Sequence, residues 1–245
     1  MGKKTLKKID TLFQDLGIKA KKNVRVMMGE YIKLLLEGME KSRLTGEKTE
    51  HGIIEKQLYD AIYPLKDIII EKNSKLIDLG TGGGLPGIPI KIIRPDLKVT
   101  LLDSNRKKAL FLKEVINKLN LQDISVINDR AESIGQDLMH RESYDYIFCR
   151  AVARLTVLAE LSLPLLKIGG KAVLYKGPRG EEELHEAKNA LITCGGALEN
   201  IKEYTLKAGE KRKLYVIKKI KLTPDQYPRK PGVPGKKPII DKNWG

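Results

Sequence analysis

Apolar residues fall at helical spacing over the first part of the chain and in short strand-length runs over the rest. Leu6, Ile9, Leu12, Phe13 and Leu16 share one face of a predicted helix, and Gly17 can end it. The opposite face carries Lys3, Lys4, Lys7 and Lys8, so this is a basic amphipathic helix. Such a helix either packs on the main body with its lysines outward or lies on a membrane surface. A second helix is predicted over 24–39, where Met27 and Met28 read as core filler among Val24, Tyr31, Leu34, Leu35 and Leu36. Residues 42–46 break the pattern, and 51–63 is helical again until Pro64. Residues 1–70 therefore read as a helical layer packed on a core.

From Lys75 onward strands and helices alternate. Strands are predicted at 76–79, 99–102, 124–127, 144–149 and 172–175, with helices at 88–94, 107–119, 155–163 and 181–193. That alternation implies a parallel sheet covered by helices on both faces. The last two apolar runs, 197–206 and 214–220, are joined by polar residues with no helix between them, which predicts an antiparallel hairpin. The expected fold is α/β, Rossmann-like, with a mostly parallel seven-stranded sheet whose last strand is antiparallel. This is the layout of class I S-adenosylmethionine-dependent methyltransferases and not the six-parallel-strand dinucleotide layout. The core is expected over 71–221. Residues 222–245 form a basic tail rich in proline and glycine, a composition that argues against helix or sheet interior. It reads either as a solvated, disordered tail or as an arm that tracks phosphates.

Composition narrows the class of partner. The 245 residues carry a formal net charge of +15, concentrated toward both ends, which favours a polyanionic partner. Aromatic residues are only 5%, too few for extensive base-stacking platforms. The two cysteines, Cys149 and Cys194, are far apart and form no metal-ligand spacing, so neither a zinc site nor a disulfide framework is expected. His51, His140 and His185 share no pattern and are assigned no catalysis. No secretory signal and no apolar run of membrane-spanning length is visible, so a cytoplasmic protein without a membrane partner is expected; a monomer is the default expectation, as no sequence feature reads out the oligomeric state.

The candidate chemistry centres on residues 75–87, KLIDLGTGGGLPG. An apolar run stops at a cluster of glycines, and an apolar helix pattern follows at once: strand, tight turn, helix. Glycine allows the sharp bend and lets a ligand touch the main chain. Two registers overlap. Gly82, Gly84 and Gly87 spell the dinucleotide fingerprint G-x-G-x-x-G, while Asp78, Gly80, Gly82 and Gly84 spell acid-x-G-x-G-x-G. A glycine-rich turn without a ligand is the plain alternative.

In an open parallel sheet, ligands bind beyond the carboxyl ends of the strands, so the residue closing each strand carries the argument. The second strand closes with Asp103, placed to grip the ribose hydroxyls of a nucleoside-like cofactor or to cap the following helix. After the third strand come Ala131 and Glu132, suited to an adenine edge or to an ordinary surface loop. The fourth closes with Cys149 and Arg150. Arg150 is placed to pair with a carboxylate such as that of S-adenosylmethionine, or with a structural acid. Cys149 reads as a buried strand residue, since no Pro-Cys element and no neighbouring base would make it a nucleophile. The Asn/Asp-Pro-Pro-aromatic run of enzymes that methylate nucleobase amino groups is absent.

LIDLGTGGGLPGIP at 76–89, taken with Leu101-Leu-Asp-Ser104, Arg130-Ala-Glu132 and Arg150-Ala-Val152, resembles the bacterial family of 16S ribosomal RNA guanine-N7 methyltransferases (RsmG, glucose-inhibited division protein B). The Gly-Leu-Pro-Gly-Ile-Pro run looks specific to that family, and the tail YPRKPGVPG at 227–235 is similar to that of Gram-positive members. The resemblance implies methyl transfer from S-adenosylmethionine to N7 of a guanine in the decoding-region loop of 16S rRNA, on naked RNA or the small ribosomal subunit. It places cofactor contacts at Gly80, Leu85, Ala131, Glu132 and Arg150, to which the strand-end reading adds Gly82 and Asp103. It requires no metal and no general base. Two positions depart from the family pattern: Arg43 stands where asparagine is common, and Gln57 where a histidine is, both expected toward the RNA. The rival reading is a nucleotide-binding regulator that associates with nucleic acid without methyl transfer. Methylation of a small molecule or a protein would leave the basic ends unexplained.

Overall fold

The computed structural model describes residues 2–39 and 44–240. Helices α1 (Lys3–Asp15) and α2 (Lys22–Met39) come first. A continuous helical run follows, made of α3 (Glu50–Gly52), a π-helical segment (Ile53–Leu58) and α4 (Tyr59–Ile62). Pro64 does not end the helical course as expected. It opens one more turn, α5 (Pro64–Asp67), at a first-turn position where its missing N–H costs nothing. Gly17 does end α1, at φ +66°.

The sheet and its crossovers then run β1 (Lys75–Leu79), α6 (Gly87–Ile93), β2 (Lys98–Leu102), α7 (Arg106–Lys118), β3 (Ile124–Ile127), α8 (Ala131–Ile134), β4 (Tyr144–Arg150), α9 (Leu155–Ser162) and β5 (Leu166–Lys176). The helix predicted over 181–193 is two helices, α10 (Gly180–Glu186) and α11 (Lys188–Cys194), separated at Ala187. The chain closes with β6 (Gly196–Thr205), β7 (Lys211–Lys219) and α12 (Val233–Lys236). The strand order is β3-β2-β1-β4-β5-β7-β6. Every ladder from β3 to β5 is parallel, while β7 runs antiparallel to both β5 and β6. The predicted mostly parallel sheet with a reversed last strand is the one observed.

Central strands are buried on both faces, which is why they read as continuous apolar runs and not as alternating ones. One face packs on the N-terminal helices: Ile9, Leu12, Phe13, Tyr31 and Leu35 join Leu76, Leu101, Phe148 and Val173 in a single cluster. The apolar face of α1 is therefore spent inside the protein, which decides against the membrane-surface reading of that helix. The other face packs Ile77, Leu79, Ile147 and Leu174 against Leu158, Leu161 and Leu191.

The basic tail is where the expectation fails. Residues 223–238 lie along the protein, held by polar groups at fixed points. Arg229 forms a two-pronged pair with Glu160, a carboxylate with 0% exposure, at 2.8 and 2.6 Å. Arg141 donates to the carbonyls of Thr223 and Tyr227 at 2.8 and 2.7 Å, and Gln136 to those of Asp225 and Pro228. Up to residue 240 this is not a disordered tail, and Lys230, Lys236 and Lys237 remain exposed along it. One of its prolines, Pro234, sits in the first turn of the short α12 instead of forbidding a helix, because proline fits that position.

Candidate cofactor site

The turn after β1 is built around Asp78. Its Oδ2 accepts from the Thr81 hydroxyl at 2.6 Å and from the Gly87 N–H at 2.7 Å, closing strand, loop and helix on one oxygen. Its Oδ1 is buried and has no hydrogen-bond partner among the described residues. Burial pushes the Asp78 carboxyl up to about 6, against the opposing effect of the Thr81 and Gly87 bonds. Gly80, Gly82 and Gly84 have φ of +71°, +60° and +98°, the left-handed region in which glycine alone is unstrained. A side chain on Gly80 would also collide with Val152. Gly87 differs: its φ is helical, and a side chain there would strike Leu101 and Asp78, so it serves helix packing. The acid-x-G-x-G-x-G register is thus the one that shapes the loop.

Asp103 braces that loop. Its Oδ2 accepts from Gly82 N and its Oδ1 from Asn105 N, both at 2.9 Å. The helix-capping alternative falls to Asn105, whose side chain accepts from the N–H groups of Lys107 and Lys108 at the start of α7. Ala131 opens α8. The Glu132 carboxylate, 4% exposed, does not stand open to a ligand on its Oε1 side: that oxygen accepts from Arg130 at 3.0 Å and from the Gly232 N–H of the tail at 2.8 Å. Burial opposes ionisation there, and the bonds from Arg130 and Gly232 outweigh it and hold the carboxyl below the ordinary range.

Arg150 ends β4, just before Ala151 takes a left-handed φ of +56° and turns the chain away. Its Nη1 donates to the Gln57 carbonyl at 3.2 Å and to Asp60 Oδ2 at 3.1 Å, and its Nη2 to Gln57 Oε1 at 2.7 Å. Gly80, Gly82, Leu85 and Arg150 line one cavity of about 700 Å³, together with Thr45, Gln57, Asp60, Lys108, Lys176 and Arg212. Asp103 is joined to that cavity through Gly82, whereas Ala131 and Glu132 sit at the next strand end and outside its lining. A larger cavity of about 950 Å³ lies between α9, α10, α11 and the tail, and shares none of its lining residues with the first.

Sequence reasoning missed Asp60, Lys176 and Arg212, and it placed Gln57 toward the RNA and not beside Arg150. Asp60 did leave a signal, a lone acid between Leu58 and the apolar pair Ala61 and Ile62. Arg43 lies outside the described residues. Cys149 has 0% exposure, and burial raises its thiol far above the ordinary range, as fits a strand residue with no nucleophilic role.

The residues fit S-adenosylmethionine on observations of this structure. Gly80 and Gly82 bring left-handed main chain to the cavity wall, the buried Asp78 Oδ1 is unmet, and a cavity-lining guanidinium lies at the neighbouring strand end. This sheet order, with the acid–glycine loop at the carboxyl end of β1, defines a class I S-adenosylmethionine-dependent methyltransferase. The fold is shared with M. jannaschii TYW2, solved in complex with AdoMet, at a TM-score of 0.53 and 18% identity over 71% of this chain and 80% of that one. The family model described as GidB, rRNA small subunit methyltransferase G, matches residues 25–215. The chain is 44% identical to ribosomal RNA small subunit methyltransferase G of Alkaliphilus metalliredigens over 92% of its length and 95% of that protein. It is 46% identical to the Staphylococcus aureus (strain JH9) protein of the same name, over 86% and 89%. The chain belongs to the GidB family of rRNA small subunit methyltransferases G.

Proposed function

We propose that the protein transfers the methyl group of S-adenosylmethionine to N7 of a guanine in the decoding-region loop of 16S rRNA. Membership of the family supports the rRNA substrate. The observation that carries the chemistry is the state of the acids around the cavity. Asp60 is committed to Arg150 and to the Tyr204 hydroxyl, Asp103 is committed to the glycine loop, and Asp78 is wholly buried beneath that loop and bonded to it through Oδ2. Guanine N7 suits such a site, because its lone pair is free at neutral pH and no proton has to be removed before attack.

The cofactor, when bound, supplies an electrophilic methyl group on a sulfonium. The chain's own task is to orient and to shield. Gly80, Gly82 and Leu85 shape the wall of the cavity, Asp103 holds the loop, and Ala131 and Glu132 receive the adenine end. Arg150 offers N–H donors to the carboxylate end. Alignment of two reactants accounts for roughly 7–11 kcal/mol of barrier in well-oriented systems. N7 lies on the major-groove edge, which an RNA duplex hides, so the target base is unpaired or opened.

In this reading residues 71–221 carry the methyltransferase core and 1–70 the helical layer, and the protein acts as a monomer in the cytoplasm. Among the described residues no helix is long and apolar enough to cross a membrane. The test is mass spectrometry or primer extension of 16S rRNA after incubation with enzyme and labelled cofactor, on naked RNA and on assembled subunits. A single methylated guanine that stops extension only after N7 cleavage chemistry is expected. Calorimetry showing binding of NAD but not of S-adenosylhomocysteine would overturn the reading in favour of a non-catalytic regulator.

A further inference from the structure

The helical run that approaches the cavity changes pitch as it does so. Between α3 and α4 the six residues Ile53–Leu58 form π-helix, a geometry that is rare and recurs at functional sites. Within it, Gln57 turns both its main-chain carbonyl and its side-chain Oε1 to a single guanidinium, that of Arg150. Asp60, three residues on, supplies the third acceptor. Asp60 is itself fixed, for its Oδ1 accepts from the Tyr204 hydroxyl at 2.5 Å, and the Tyr204 ring stacks on Tyr63 at 3.9 Å. The carboxylate is 6% exposed and has little freedom to do anything but hold Arg150.

A guanidinium has five N–H donors in a rigid plane. Gln57 and Asp60 are bonded to Nη1 twice and to Nη2 once. Nε has no acceptor among the described residues and Nη2 has one, although the side chain is only 14% exposed and lines the cavity. Those two donors form the parallel pair with which arginine binds a carboxylate in two-pronged fashion. Without its three acceptors, a long arginine side chain at the end of a strand would sample several rotamers, and ordering it would reduce binding.

We propose that Gln57 and Asp60 are positioning residues for the reaction: they lock Arg150 so that its Nε/Nη2 edge receives the amino-acid carboxylate of S-adenosylmethionine. The inference rests on the methyltransferase reading and adds to it the device by which the N-terminal helical layer prepares the cofactor site. It predicts a selective defect. Losing the lock affects ligands that carry the carboxylate and spares those that lack it.

The test is calorimetry on the full chain with two ligands, S-adenosylhomocysteine and methylthioadenosine, which lacks the amino acid. Gln57→Met removes the side-chain acceptor at nearly constant volume. It is expected to weaken S-adenosylhomocysteine binding about tenfold, the scale of one charge-assisted hydrogen bond, and to leave methylthioadenosine binding unchanged. In turnover, the loss is expected to fall on the KM for S-adenosylmethionine and not on kcat. Gln57→Glu, which keeps an acceptor, should restore most of the affinity, and Asp60→Asn should show the same selectivity between the two ligands. Equal losses for both ligands, or no loss for either, would overturn the proposal. A wild-type protein that binds neither ligand would instead remove the methyltransferase reading on which it stands.

Discussion

Asp78 has one oxygen bonded twice and the other, also buried, bonded to nothing among the described residues. Its folded-state pKa is raised from 3.8 to about 6, so it adds stability below pH 4 and loses that contribution as pH rises through 6. At neutral pH the ionised carboxylate therefore costs the ligand-free protein stability, each tenfold weakening of the acid being worth about 1.4 kcal/mol. Asp78→Asn should remove this dependence: urea unfolding at pH 4 and pH 7 should show the variant gaining on the wild type as pH rises, while S-adenosylhomocysteine binds it more weakly. A constant difference across that range would count against the assignment. At Gly80 two costs are separable. Gly80→Ala should lose about 1–2 kcal/mol to the left-handed backbone alone, plus a collision with Val152. Adding Val152→Ala should recover only the collision, as read from denaturant midpoints. These residues were legible because acid, glycines and following helix are adjacent in sequence. Asp60 showed only as a lone acid among apolar neighbours and Gln57 not at all as a partner of Arg150, because the arginine they hold lies 90 and 93 positions away.

Among the elements, the tail departs furthest from its composition. Proline, glycine and lysine describe a segment without long helices or ladders, and that part was readable. What composition cannot report is that Glu160, in a helix of mixed apolar character, has 0% exposure and waits for an arginine 69 positions later. Arg229→Ala would leave that carboxylate buried without its guanidinium, a loss of about 3–5 kcal/mol. For a chain of this size the melting temperature should fall by roughly 10 °C. The double variant Glu160→Met, Arg229→Met should recover much of it. An unchanged melting temperature in Arg229→Ala would show that the strap is loose in solution. Removing the whole tail is consequently a poor probe of RNA binding, since it strips Glu132 and Glu160 of their partners Gly232 and Arg229 along with any phosphate contacts.

On the scale of the whole molecule the net charge of +15 still calls for a polyanion, and the arginine of the tail is not available to meet it. The exposed lysines of α1, Lys3, Lys4 and Lys7, are. Their joint replacement by glutamine should leave the fold intact and lower the log–log salt slope of RNA binding by about 2, at roughly 0.7 or more per phosphate contact. An unchanged slope would place the RNA elsewhere. The sheet order carries a consequence for how the protein is made. Among the described residues β6 pairs only with β7, and β7 pairs with β5 on its other side, so β6 is synthesised before the strand that receives it. Arg212 of β7 lines the cofactor cavity as well. A nascent chain on the ribosome thus carries an unmatched strand and an open cavity until β7 (Lys211–Lys219) has emerged. Translation that stops short of β7 yields an aggregation-prone sheet edge and not a partly active enzyme.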